Sequence, residues 1–496
     1  MDTFEALKDL QFYQYFCEIS AIPRGSGNEK AISDYLVTFA KANGLAWERD
    51  GADNVVIKKE ASFSYGNKPT VILQCHMDMV CVSGSDSSHD FLRNGIIPLE
   101  QDGFLMADRT TLGADNGIGM AYLLAILKEE HLRHPKLIAI FTTGEETGLK
   151  GMAALDASEL EADRMINLDG EGEGILFASC AGGERYEMKI PLKWESIHEA
   201  EQRKCYKLLL SGFSGGHSGI DIDKGRANAV ILLARFLKVL VKKRNYQVCA
   251  LEGGNKENAI PRDASACIWM NEGEAAQALE EIREFEQQIS LEYAKKEPAF
   301  TIRLEECNGK TMPQKELDIL AEKSGIHPQS LEKLLSAVLL IPNGVLSFHP
   351  HLERTLDASS NLGILTIEEE KVILKGLVRA NQNTKREDAM NRIYQLGLLL
   401  DGQVEVKNGY PAWEYQEISQ LREYCCRIYQ EMYDRSMEVS AIHGGLECAL
   451  MHEKRPDMDM VSIGPNLYDV HSPEEKAEIA SLIRMWNYVI RLLDNW

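Results

Sequence analysis

Apolar positions recur at helical spacing over residues 6–19, ALKDLQFYQYFCEI, and again over 26–43. The second helix is predicted to start after Ser26, Gly27 and Asn28, with Glu29 in its first turn and Gly44 as its C-cap. Short apolar runs bounded by polar or glycine residues then predict strands at Val55–Lys58, Pro69–Cys75, Ile138–Thr142 and Met165–Leu168. A helix from about Gly117 to Glu130 lies between them. This alternation reads residues 1–185 as α/β with a mixed or parallel sheet.

From 186 the texture changes. Strands are predicted at 205–213, 247–252 and 262–270, with helices at 224–243 and 275–293. A second round follows, with strands around 298–305 and 363–380, a helix at 386–401 and a helical insertion near 314–340. Residues 186–404 therefore read as an α+β domain of two related halves. Residues 405–496 return to long helices, 419–431 and 473–493, among short Ile/Val/Ser runs that could complete the first sheet. The middle domain would then be an insertion into a discontinuous one, made of 1–185 and 405–496.

Composition narrows the class. The chain has 496 residues, 44% hydrophobic and 26% charged, which is ordinary for a folded protein of two or three domains. Its 76 acidic and 54 basic residues give a formal charge of -22, a field that repels phosphate backbones and argues against nucleic acid as a partner. The N-terminus lacks the pattern of a signal peptide, and the apolar stretch 229–240 is interrupted by Arg235 and Lys238. No membrane partner is expected. Eleven scattered cysteines suit a reducing compartment, and the expected location is cytoplasmic.

The local chemistry concentrates at predicted strand ends. In VILQCHMDMV, His76 and Asp78 follow an apolar run; alternation would put both on one side, with Asp78 holding one ring nitrogen and the other left for a metal. The H-x-D tripeptide alone is equally compatible with an ordinary buried pair. Asp115 in TTLGADNGIGM could be a turn or cap residue, and Glu145 and Glu146 in IFTTGEETGLKG an acidic surface turn. Asp169 closes MINLD. Acids at several strand ends of one α/β sheet are more informative together, because such ends converge on a ligand crevice.

HMDMV, LGADNGIGM, TTGEETGLKG, NLDGE, SGGHSG and the late HSP, in this order, resemble the M20 zinc metallopeptidases, specifically their aminoacyl-histidine dipeptidase branch. The resemblance covers essentially the whole chain. It implies an α/β fold with a discontinuous catalytic domain, mixed sheet and flanking helices, plus an inserted α+β lid and dimerisation domain. It further implies two divalent ions, zinc before cobalt or manganese. His76, Asp115 and Asp169 would hold one, and Asp115, Glu146 and His471 the other. Asp115 would bridge them, next to a cis peptide bond to Asn116. Asp78 would orient His76, Glu145 would be the general base, and His217 would stabilise the oxyanion, acting within its own chain or across a homodimer. Asn258, Arg379 and the loop His443, Gly444 and Gly445 would bind a small peptide substrate. The expected activity is hydrolysis of dipeptides, preferentially Xaa-His and including β-alanyl-histidine. The alternatives are a broader di/tripeptidase or an N-acyl amino-acid amidohydrolase. Shared carboxylate ligation accords with elementary chemistry, since two cations ~3.5–4 Å apart need an anion between them. Cys75, Cys81, the GEGEG run at 170–174 and the aromatic cluster at 410–415 are not assigned roles.

Overall fold

The computed structural model describes residues 3–198, 200–243, 246–307 and 323–496. Two compact units are present. One comprises the chain up to Cys180 together with Trp413–Trp496, and the other is Ala181–Ala412.

The first unit is built on an eight-stranded sheet. Its order is Ala46–Arg49, Val55–Lys59, Leu137–Thr142, Val71–His76, Arg164–Asn167, Asp459–Ser462, Ile175–Cys180 and Glu438–Ile442. The four strands from Leu137–Thr142 to Asp459–Ser462 are mutually parallel, so their carboxyl ends share one edge. Continuous apolar runs suit this position, and Val71–His76 is buried at every residue. The helix Ala114–Lys128 is also buried almost throughout, as its nearly unbroken apolar sequence requires. Phe12, Tyr122 and Trp486 pack together in the core.

Two helices of this unit differ from expectation. Residues 6–19 do not form one helix. Thr3–Lys8 and Gln11–Ser20 are separated by an extended Leu10. Leu7 and Phe12 are both fully buried, and five positions on one helix would set them about 140° apart. The C-terminal helix starts at Ile479 instead of near 473, because Lys476–Glu478 pairs as a strand with Phe104–Met106. Helix Lys30–Ala42 is followed by Gly44 at φ +62°, a left-handed position that suits glycine.

The second unit is an antiparallel sheet. Thr301–Glu306, Lys204–Ser211, Ala264–Met270, Gln247–Gly253, Leu356–Glu368, Lys371–Ala380, Gly182–Pro191 and Gln403–Tyr410 follow one another, and Gly344–Phe348 also pairs with Leu356–Glu368. The stretch predicted as strand at 363–380 is a hairpin, turning at Glu369, whose φ is +52°. Helices Ala229–Lys243, Glu272–Tyr293, Pro328–Leu340 and Asn383–Leu399 contribute to its core. Glu272–Tyr293 starts three residues before its predicted position, at a capping box formed by Asn271 and Glu274. Of the expected insertion near 314–340, Pro328–Leu340 is helical, whereas 308–322 lie outside the described residues. Among the described residues no helix is long and apolar enough to cross a membrane.

Candidate active site

Parallel strands deliver the first unit's acids and imidazoles to one edge. His76 is the last residue of its strand, Glu145 and Glu146 follow the strand ending at Thr142, and Asp169 follows the strand ending at Asn167. The strand ends before Asp78, so strand alternation does not align this pair as expected. The turn instead brings Asp78 Oδ1 to 3.4 Å from His76 Nδ1, with the Asp78 carbonyl oxygen at 3.1 Å. Asp78 is fully buried. It accepts hydrogen bonds from Ser26 Oγ at 2.7 Å and from the backbone N–H groups of Glu145 and Glu146 at 3.0 and 3.3 Å. The residue that orients the imidazole thus also fixes the glutamate turn.

His76 Nε2 faces Asp115 Oδ1 at 3.0 Å and Asp169 Oδ1 at 3.3 Å. The other Asp115 oxygen lies 3.1 Å from His471 Nε2, which is also 2.9 Å from Glu146 Oε1. Two groups of potential ligands therefore share Asp115: His76, Asp115 and Asp169, and Asp115, Glu146 and His471. In each, the ligand atoms lie within 4.8 Å of one another. Five carboxylates around two imidazoles leave a surplus of negative charge, and oxygen with imidazole donors suits borderline divalent ions. The residues fit a binuclear metal-binding site. The Asp115–Asn116 peptide is cis, and Asn116 Nδ2 donates to Asp169.

Electrostatics follows from this crowding. Burial works to raise the Asp115 carboxyl, but His471 and His76 overcome it and hold the group well below the usual carboxylate range. Burial raises the Glu145 carboxyl well above its ordinary value, and Asp169, Glu146 and Glu447 add to the effect against His76. Hydrogen bonds to Asp115 and Glu146 push His471 up to about 11.

Several supporting residues escaped sequence reasoning. Glu475, only 2% exposed, accepts from the backbone N–H groups of Leu112, Gly113 and Ala114 at 2.8, 3.0 and 2.8 Å. Arg24, equally buried, donates to the carbonyls of Met77, Asp78 and Gly113 at 3.0, 3.2 and 2.5 Å. Together they clamp the turns that carry His76 and Asp115. Glu29 Oε1 accepts from Gly144 N–H at 3.1 Å and steadies the glutamate turn. Beneath the sheet edge, Glu447 accepts from Thr142 Oγ1 at 2.6 Å and from Gln74, and burial pushes its carboxyl up to about 7. Glu475 lies four positions after His471, and this HSPEE spacing was the one available signal for Glu475.

The remaining expected site residues fall in two places. His443 is buried after the Glu438–Ile442 strand, and Gly444 and Gly445 lead into the helix that begins at Glu447. His217, Asn258 and Arg379 belong to the second unit. Gly216–His217 pairs with Ala259–Ile260, and Ser218 N–H donates to the Asn258 carbonyl at 2.9 Å, which brings His217 beside Asn258. Arg379 Nη2 lies 3.3 Å from His217 Nε2, and Arg379 Nη1 donates to Tyr410 Oη at 2.7 Å. The amides of Gly219 and Ile220 both point at His217 Nδ1, at 3.3 Å. Backbone donors thus face one ring nitrogen of His217 and the Arg379 guanidinium faces the other.

Residues 72–495 match the model of peptidase family M20/M25/M40. The chain is 32% identical to the cytosol non-specific dipeptidase of Escherichia coli over 493 residues, 99% of both proteins. It is similar to the crystal structure of aminoacylhistidine dipeptidase from Vibrio alginolyticus, with a TM-score of 0.86, 32% identity and coverage of 100% of this chain and 99% of that one. A tripeptidase from Staphylococcus aureus shares the fold at TM-score 0.56 and 15% identity, over 98% of this chain and 97% of that one. With its binuclear metal-binding site, the chain belongs to the M20/M25/M40 peptidase family and is a metal-dependent peptidase of the M20 dipeptidase type.

Proposed function

We propose that the protein hydrolyses dipeptides with two zinc ions, one held by His76, Asp115 and Asp169 and the other by Asp115, Glu146 and His471, and that Xaa-His peptides such as β-alanyl-histidine are preferred. The observation that carries this reading is the pair of ligand groups sharing Asp115, with Glu145 next to them. Bound divalent ions supply Lewis acidity, which makes a water a nucleophile at neutral pH and polarises the scissile carbonyl. Glu145 takes the proton of the attacking water and returns it to the leaving amine. Asp78 holds His76 through its Nδ1 side, leaving Nε2 for the metal.

In the second unit, the His217 ring and the Arg379 guanidinium lie side by side. This supports His217 as the oxyanion donor and Arg379, with Asn258, as the anchor of the substrate carboxylate. His443, Gly444 and Gly445 complete the substrate side. A homodimer formed through the second unit, with cytoplasmic location, completes the proposal.

A broader dipeptidase is the second reading, favoured by the name of the E. coli relative, which is as similar in sequence as the Vibrio enzyme. Chelator-sensitive hydrolysis of β-Ala-His and Gly-His, measured beside Leu-Gly and an N-acetylated dipeptide, separates them. Selective cleavage of the Xaa-His peptides is expected. Equal cleavage of Leu-Gly discards histidine preference, and preference for the N-acetylated compound discards the dipeptidase assignment in favour of an amidohydrolase.

A further inference from the structure

Four of the eleven cysteines converge on one patch of the second unit's sheet, from four different strands or strand ends. Cys205 lies opposite Trp269 in the antiparallel register and Cys267 opposite Lys207, so Cys205 and Cys267 are diagonal neighbours on one face. Cys307 follows the strand Thr301–Glu306 and donates its N–H to the Cys205 carbonyl at 2.9 Å, which extends that register by one pair. Cys249 occupies an irregularity between Val248 and Ala250, where the pairing with Ala264–Met270 shifts. Its Sγ lies 3.9 Å from that of Cys205, across the intervening strand. The sulfurs of Cys205, Cys267 and Cys307 lie within 4.8 Å of one another.

We infer that Cys205, Cys249, Cys267 and Cys307 bind one thiophilic d10 cation, zinc foremost, using none of the residues of the binuclear centre. A tetrahedron with ~2.3 Å zinc–sulfur arms has edges of ~3.8 Å. The Cys205–Cys249 separation already matches such an edge, the edges among Cys205, Cys267 and Cys307 need to contract by about an ångström or less, and Cys249 has to swing towards the other two sulfurs to close the tetrahedron. Packing as small apolar side chains accounts for individual buried cysteines, but it does not require four sulfurs to meet. The surroundings suit a bound ion. Cys205, Cys249 and Cys267 are buried beside Ile197 and Trp269, which keep water from competing as a ligand. Cys307 is half-buried and follows the strand at the sheet edge.

The protons balance simply: each thiol that ligates releases one, so loading the site sets free up to four protons per ion. Without a cation, contacts with Cys249 and Cys267 raise the Cys205 thiol.

The test uses the full-length chain, reduced under anaerobic conditions and titrated with cadmium as probe while the ultraviolet thiolate-to-cadmium band is followed. One equivalent is expected to produce the band of a four-thiolate complex and to protect four thiols from alkylation. Cys307→Ala, at the sheet edge where folding is least at risk, and Cys205→Ala should each weaken uptake at least tenfold and leave dipeptide hydrolysis at its wild-type rate. Zinc-loaded wild-type chain should retain one more ion after desalting than Cys307→Ala. Absence of the band in reduced, folded protein overturns the inference. So does a band that persists unchanged in both variants, or an oxidised Cys205–Cys249 disulfide whose reduced form takes up no metal.

Discussion

Replacing Glu475 by alanine probes the support of the site without touching a ligand. The carboxylate accepts three backbone N–H groups at 2.8–3.0 Å, from Leu112, Gly113 and Ala114, and a longer fourth from Asp115 at 3.5 Å, and is nearly inaccessible to solvent. Its removal leaves three buried donors unpaired. At about 1–3 kcal/mol for each, the upper range is about 3–9 kcal/mol, and water entering the vacated space recovers part, so a loss of about 3–5 kcal/mol is expected. Because the freed segment ends at Asp115, metal affinity should fall about 10- to 100-fold. Glu475→Gln keeps the shape and one acceptor oxygen, and should fall between wild type and alanine. Urea unfolding of the metal-free protein measures the first effect, and competition with a chromophoric chelator the second. A Glu475→Ala chain with wild-type unfolding midpoint and wild-type metal affinity would refute the positioning argument.

Other substitutions separate the remaining roles. Glu145→Gln should lower turnover about 10²- to 10⁴-fold while metal content stays at the wild-type level, a split read by elemental analysis beside kinetics. His217→Ala should reduce kcat more than it raises KM, by about 10²- to 10³-fold, and mixing it with inactive Glu145→Gln should restore activity in mixed dimers if the imidazole acts across subunits. In the second unit, burial opposes ionisation of Glu187, but Lys407, Lys375 and Lys189 lower its carboxyl to about 2. A lowered folded-state value contributes stability that is complete above the unfolded value of ~4.3 and fades as pH falls towards 2. Glu187→Gln should therefore cost about 2 kcal/mol at pH 7 and much less near pH 2, as urea midpoints at the two pH values will show.

What was legible in the sequence follows from locality. The candidate ligands His76, Glu146 and Asp169 each follow an apolar run, so strand prediction and chemistry reinforced one another, and family motifs supplied Asp115 and His471 as the other candidates. Arg24 and Glu475 were not legible because they act on main-chain groups far along the chain, and a backbone partner leaves no side-chain pattern. The convergence of Cys205, Cys249, Cys267 and Cys307 depends on strand order and on the irregularity at Cys249, neither of which is encoded in a short spacing such as C-x-x-C. The break at Leu10 was hidden for a related reason: ALKDLQFYQYF has helical periodicity, and only the burial of both Leu7 and Phe12 requires the interruption.

The central claim is that one carboxylate, Asp115, joins two metal sites on which peptide hydrolysis depends. The most direct measurement compares metal content and chelator-sensitive dipeptide hydrolysis in wild type and Asp115→Ala. The account predicts that wild-type activity disappears on exhaustive chelation and returns with zinc, and that Asp115→Ala retains fewer ions than wild type and stays inactive when zinc is supplied. Wild-type hydrolysis that survives complete metal removal, or an Asp115→Ala chain with wild-type metal content and turnover, would contradict it.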